Sequence, residues 1–311
     1  MRSKKQLGTN IPIFGTFPTR TLAIGALIVT AAGYSLLAIG SRLLAFGFPP
    51  MTQIYMRVAL GTLIVACITR KQLRWKYLTS IGAKDAWILF SMGTIGFSIA
   101  VYFVTMDVLN AKLVNVSIIF ASVPFFSYLY AYLFLKKTIK PKLIGLLVIS
   151  LIGIAIVSTK SLVPHLESFG KGEWFTLIAT ATMAWFYVAR KLLSSHLNTA
   201  EITVVVMAVA SMSAYLFALF RGETFALSAF ANPQVLLGLF IGSTMNALVN
   251  PIELFAFKHL DAVTGSQMLL LETVFSLTLG YLLYHEIISI PECIGGAIVI
   301  GSVYLANKLE I

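Results

Sequence analysis

The residues in this chain best placed for chemistry are polar groups set inside long apolar runs. Glu272 stands in Leu271-Glu272-Thr273-Val274, with Gly265, Met268, Leu269, Ser276 and Leu279 on the same face at helical spacing. A carboxyl there can take a substrate amine or exchange a proton; the plainer alternative is a structural partner for a serine, asparagine or arginine on a neighbouring helix. Ser243, Asn246, Asn250 and Glu253 recur at intervals of 3, 4 and 3, which is one helical face. That stripe reads either as a substrate lining or as hydrogen-bonding glue between helices. Pro251 beside it removes a backbone donor and clashes with the carbonyl of Ala247, which predicts a kink. Glu253, close in sequence to Lys258 and His259, reads as half of an interfacial ion pair. Arg57 suits a substrate carboxylate through its planar fork, or it snorkels to the membrane interface on its long stem. Tyr102, Tyr128, Trp185 and Tyr187 offer rings for stacking on a substrate, against the commoner role of aromatics as packing and interfacial anchors.

The elements that position these groups are membrane helices. The chain has 311 residues, of which 58% are hydrophobic and 11% charged; a soluble domain runs near 45–50% and about 25%. A hydrocarbon core about 30 Å thick needs roughly 20 apolar residues per helix. The sequence supplies ten such spans, at about 21–45, 51–69, 86–106, 113–135, 142–159, 173–190, 202–220, 234–257, 263–284 and 291–308. The expected fold is all-α, with Pro124 kinking the fourth span. Residues 1–20 read as a cytoplasmic tail, with no A-x-A cleavage pattern after the first apolar run.

The net charge of +11 is explained by topology and does not call for nucleic acid. With the N-terminus inside, cytoplasmic segments hold Arg70, Lys71, Arg74, Lys76 and Lys84, then Lys136, Lys137, Lys140 and Lys142, and most other basic residues. The outer segments keep only Arg42, Lys112, Lys160, Lys171 and Arg221. This is the positive-inside pattern, and it places both termini in the cytoplasm of a cell inner membrane.

The spans divide into two sets of five, residues 21–160 and 172–308. Because five is odd, the second set enters the membrane inverted, and equivalent loops should differ in charge. The loop between spans 4 and 5 has four lysines, whereas His285 to Glu292 has no Lys or Arg. Setting Pro124 opposite Thr273 also brings Phe126 onto Phe275, Ser127 onto Ser276 and Tyr132 onto Tyr281. Pro141 and Gly145 then meet Pro291 and Gly295 after one inserted residue.

With these features the chain resembles the drug/metabolite transporter (DMT) superfamily, in its ten-helix EamA-type branch. The resemblance rests on Pro124 with Gly145, on Leu271-Glu272-Thr273-Val274 with Glu286 and Gly295, and on Arg57 early in the second span. Thr273 stands where Pro is usual, and Lys137 where the first repeat usually has Glu. The resemblance implies a secondary transporter of small metabolites, amino-acid-like compounds first, acting as an exporter. Related branches carry nucleotide sugars or triose phosphates, but such substrates need several cavity cations and only Arg57 lies well inside a span.

Inverted repeats place a substrate near the bilayer midplane between the halves. The expected site is Glu272, Asn246, Asn250, Arg57, Ser276, Tyr102 and Trp185, with protons as a coupling ion. Other chemistry finds little support. The four histidines are scattered, Cys67 and Cys293 are isolated, and no G-x-x-x-x-G-K-[ST] sequence is present, so no metal, cofactor or ATP-driven reaction is expected. A channel, a lipid-handling protein and a structural membrane subunit share the hydropathy and remain the alternatives of another class.

Overall fold

A computed structural model describes residues 19–103, 121, 123–138, 140–163, 171–284 and 289–310. The regular structure of the described residues is all helical, with no strand among them. The first half contains α1 (Thr19–Leu44), α2 (Pro50–Thr69), a short turn α3 (Trp75–Leu78) and α4 (Ala83–Ser91). Helix α4 passes into a π-helix over Met92–Ile99 and runs on to Phe103. Then come α5 (Val123–Leu135) and α6 (Pro141–Thr159). The second half contains α7 (Lys171–Leu192), α8 (Thr199–Phe220), a 3₁₀ turn at Leu227–Ala231, and α9 (Pro233–His259). It closes with α10 (Ala262–Leu269), α11 (Leu271–Tyr284) and α12 (Ile290–Glu310).

Five of these helices are long and apolar enough to cross a membrane: α1, α2, α4, α8 and α9; α5, α6 and α12 are shorter apolar helices. Their starts follow local rules. Proline opens α2, α6 and α9, where its missing N–H costs nothing. Helix α8 opens on a capping box, with the Asn198 side chain accepting from the Glu201 N–H and Glu201 accepting from the Asn198 N–H.

The expected ninth span differs from the structure. It is broken at Leu270 into α10 and α11, with Leu270 N–H bonded to Gln267 O and Thr273 N–H to Leu270 O, both at 3.1 Å. These tighter bonds interrupt the regular ladder and put Glu272 in the first turn of a new helix. Pro251 lies inside α9, which continues through it. Pro124 falls in the first turn of α5, and the chain ahead of it lies outside the described residues, as do Lys112 and Glu286.

Packing between the halves comes in exchanged pairs. Helix α1 packs on α9 and α4 on α7; α2 packs on α9 and α4 on α8; α5 packs on α7 and α1 on α10 and α11. The pairs α2 with α8 and α6 with α12 are their own counterparts. Small residues let these backbones approach. A Cβ on Gly238 would lie 2.9 Å from Gly40 O, and one on Gly96 would lie 2.8 Å from the Phe186 Cβ. At the α6–α12 crossing, a Cβ on Gly295 would lie 2.6 Å from Gly153 O, and Ser150 and Ser302 share a hydrogen bond of 2.7 Å.

The two ends of the bundle are held differently. At the end rich in basic residues, the fully buried Glu201 takes Arg74 Nε and Nη2 at 2.8 Å each, Asn198 Nδ2 donates to Gln72 O, and Lys137 pairs with Asp261. At the opposite end Glu223 accepts from the Thr52 N–H at 2.9 Å and the Met51 N–H at 3.3 Å, and Lys160 reaches Glu292 at 3.5 Å.

Substituting Gly295→Val should lower thermal stability in detergent by about 1–3 kcal/mol, since the added atoms meet backbone that cannot swing aside. Gly301→Val, whose Cβ would meet nothing within 4 Å, should leave the melting temperature nearly unchanged.

Candidate functional site

The cavity that matters for chemistry opens beside the α1–α9 seam and has a volume of about 200 Å³. Helix α1 contributes Tyr34, Leu37 and Ser41, α2 contributes Arg57, and α9 contributes Asn246 and Glu253. Gly96, Phe97, Ala100 and Val101 of α4 and Met183, Phe186 and Tyr187 of α7 supply an apolar wall, and α11 supplies Glu272. The π-helical stretch of α4 lies in this wall. A π-turn widens the helix and shifts side chains out of register, and such turns gather at functional sites.

The cavity is electrically divided. Toward one side Arg57 Nη1 donates to Ser41 Oγ, while Arg57 Nε is buried and has no hydrogen-bond partner. Among the described residues no carboxylate lies within ion-pair distance of it. The stem of Arg57 packs on Gly242, where a Cβ would stand 3.2 Å from its own Cβ, so the glycine makes room for the guanidinium to lie along the seam. Its Nη1 is directed onto Ser41, and the side chain lines the cavity.

Two carboxyls occupy the other side. Glu253 is 1% exposed, its carboxyl is approached by the hydroxyls of Tyr34 and Tyr187, and one of its oxygens, Oε1, has no hydrogen-bond partner. Glu272 lies near enough for the two carboxyls to interact electrostatically. Ser35 Oγ donates to Glu272 O at 3.2 Å and fastens the first turn of α11 to α1. Its place in that turn also sets the carboxyl against the positive end of a half-helix. Tyr187 stacks on Phe257 at 4.3 Å between ring centroids and is thereby fixed beside Glu253.

Of the residues expected from sequence, the structure brings Arg57, Asn246 and Glu272 together. Asn250 is buried but does not line the cavity: its Nδ2 donates to Asn246 O at 2.9 Å, and Asn246 Nδ2 donates to Gly242 O at 2.7 Å. Ser243 is buried with its hydroxyl unpartnered. The side chain of Ser276 lies outside the described residues. Tyr102 stands elsewhere, stacked on Phe217 and accepting from Arg221 Nη1 at 2.8 Å. Trp185 also faces away: its Nε1 donates to Ser91 Oγ at 3.1 Å and its ring packs on Tyr130 and Phe134.

Glu253 requires a correction. It forms no interfacial pair with Lys258 or His259, because five and six residues at about 100° each carry those side chains to another face of α9; Lys258 is exposed. Its place on the Asn246 stripe was the better signal, and the nearness of Lys258 in sequence was weighed above it. Tyr34 and Ser41 had no such signal, since a tyrosine and a serine in an apolar helix do not distinguish a cavity from ordinary packing.

Chemically, the arrangement can hold a small solute with an anionic group at one end and a cationic or proton-donating group at the other, against an apolar aromatic wall. Arg57 supplies charge and directed N–H groups, and the two carboxyls supply acceptors.

Comparison with known proteins agrees with this reading of the fold. The model of the EamA-like transporter family matches the chain twice, over residues 21–159 and 170–308. An uncharacterized transporter from Clostridium kluyveri is 26% identical over 292 residues, covering 91% of this chain and 93% of its own. A solved structure described only as the crystal structure of a protein superposes with a TM-score of 0.74 at 15% identity, covering 93% of this chain and 99% of that one. Two matches that together span almost the whole chain, on a helical protein whose halves pack in exchanged pairs, identify the chain as a member of the EamA-like transporter family, a multi-pass membrane transporter.

Proposed function

We propose that this transporter carries a small zwitterionic, amino-acid-like metabolite across the cytoplasmic membrane by alternating access, in the direction of export. The observation that carries the proposal is a guanidinium with a buried, unpartnered Nε and no carboxylate partner among the described residues, Arg57, in the same cavity as two carboxyls, Glu253 and Glu272. An uncompensated charge in a low-dielectric interior is costly, and a substrate carboxylate on Arg57 removes that cost. The substrate ammonium then lies toward Glu253 and Glu272, and its side chain meets Phe97, Phe186 and Tyr187.

Ten spans in two inverted repeats, 21–160 and 172–308, with both termini inside, give this cavity its access to either face. The contacts exchanged between the halves support that arrangement, because a second conformation follows when the halves trade roles. Protons are the proposed coupling ion. In an exporter of this kind the carboxyls bind either a proton or the substrate amine, so inward movement of one drives outward movement of the other. A phosphorylated substrate is not favoured, since Arg57 is the one cation lining the cavity among the described residues.

Counterflow in proteoliposomes should show exchange of labelled amino acids and none of nucleotide sugars. An amino-acid amide, which lacks the carboxylate, should compete at least about tenfold less well than its parent in the wild type, as expected for loss of a charge-assisted hydrogen bond of about 1.5–3 kcal/mol. In Arg57→Gln the two should compete equally. Exchange of nucleotide sugars without amino acids would sink the proposal.

Proton coupling is tested separately. Glu272→Gln and Glu253→Gln should each flatten the pH dependence of uphill transport, whereas Asn250→Ala, which alters a contact inside α9, should leave it intact. If both carboxyl variants pump as the wild type does at every pH, coupling lies elsewhere.

A further inference from the structure

The end of the bundle rich in basic residues contains a second buried arginine. Arg190 is in the last turn of α7 and is 5% exposed. Its Nε and Nη2 are both buried and have no hydrogen-bond partner. Among the described residues no carboxylate lies within ion-pair distance of it, and no carbonyl at the end of α7 accepts from these two atoms. The explanation that applies to many last-turn arginines, a cation satisfying terminal carbonyls, therefore does not account for it.

Its position is informative. Arg190 follows Phe186 by four residues and Tyr187 by three, so it continues the cavity face of α7 one turn toward the helix end. Arg190, like Lys191 and Lys258, is near enough to His259 for their charges to interact. Lys191 Nζ donates to Lys258 O at 3.1 Å, which ties the ends of α7 and α9 together. From α4, Asp85 is engaged by the Ser194 N–H at 3.1 Å.

The two orphaned atoms are chemically specific. Nε–H and one Nη–H form an edge of the guanidinium whose hydrogens point the same way, spaced to match two oxygens of one carboxylate or phosphate. We infer that Arg190, with Lys258 and His259 beside it, forms an oxyanion-binding site at this mouth of the transporter, separate from the central cavity. Its ligand is the carboxylate or phosphate group of a soluble anion or of an anionic lipid headgroup. The inference does not rest on the identity of the transported solute.

The test is thermal unfolding of the purified full-length protein. In neutral detergent, inorganic phosphate should raise the melting temperature beyond chloride at equal ionic strength if the source is soluble. Phosphatidylglycerol nanodiscs should raise it beyond phosphatidylcholine nanodiscs if the source is lipid; a rise in either arm supports the site and names its source. Arg190→Gln should abolish the rise and, in chloride, melt no lower than the wild type, because it removes a buried charge that nothing compensates. Arg190→Lys should need at least about tenfold more phosphate or anionic lipid, having lost the paired N–H edge. Arg57→Gln should keep the rise. The inference is overturned if neither source shifts the wild type, if Arg190→Gln retains the shift, or if it melts below the wild type in chloride, the last marking Arg190 as a structural partner.

Discussion

Close approach of α1 and α9 is the constraint on which the site depends. Gly33 meets Val249, Gly40 meets Gly238 and Gly242, and Gly242 meets the stem of Arg57. In lipid, apolar side chains gain little by leaving the bilayer for a helix interface, so association rests on fit and on interhelical polar contacts. Small residues on both faces allow that fit. They also decide what surrounds it: Tyr34 and Ser41 flank the glycines on α1, Asn246 and Glu253 flank them on α9, and Arg57 enters from α2. A β-branched residue at Gly40, Gly238 or Gly242 would push against the facing helix and force the seam apart.

The polar groups follow from the same constraint. Hydrocarbon offers no hydrogen bonds, so each charge inside a span must be paired, solvated in a cavity, or tolerated for a purpose. The described residues contain all three cases. Glu201 is paired with Arg74, Glu253 and Glu272 share a cavity, and Arg57 and Arg190 each keep orphaned N–H groups. The first kind stabilises the protein whether or not anything binds. The last kind costs stability when nothing binds.

Much of this was legible in the sequence, for physical reasons. Apolar helices were readable because lipid demands about 20 apolar residues, and α2, α6 and α9 begin at Pro50, Pro141 and Pro233, where a first-turn proline is tolerated. Arg57, Asn246 and Glu272 stood out because polar groups are rare in such spans. What escaped was set by tertiary contact. The break at Leu270 carries no proline or glycine to betray it, and in the π-helical turn of α4 Gly93 and Gly96 lie close against Val209 and Phe186, a tertiary fit that no local pattern displays. Trp185 and Tyr102 looked like stacking platforms, but Trp185 meets Ser91 on α4, Tyr102 meets Arg221 just past α8, and neither lines the cavity. Glu253 was misread because nearness in sequence to Lys258 was weighed above helical phase.

The clasps at the two ends bear on how such a protein can move. Glu223, in the loop after α8, holds the first turn of α2, and Arg74, in the segment after α2, holds Glu201 in the first turn of α8. Exchanging α2 with α8 converts one clasp into the other, and both are closed at once. A rocking motion that opened either would have to break several hydrogen bonds to a carboxylate, each among the stronger kinds. The Lys137–Asp261 pair is different, being half-exposed on both sides, and exposed pairs contribute about 0–1 kcal/mol. If the proposed alternating access operates, its two states must lie close in free energy and the contacts that change must be weak ones, which would keep α2 and α8 together as a fixed post and leave the motion to helices that bear the cavity wall and Glu272.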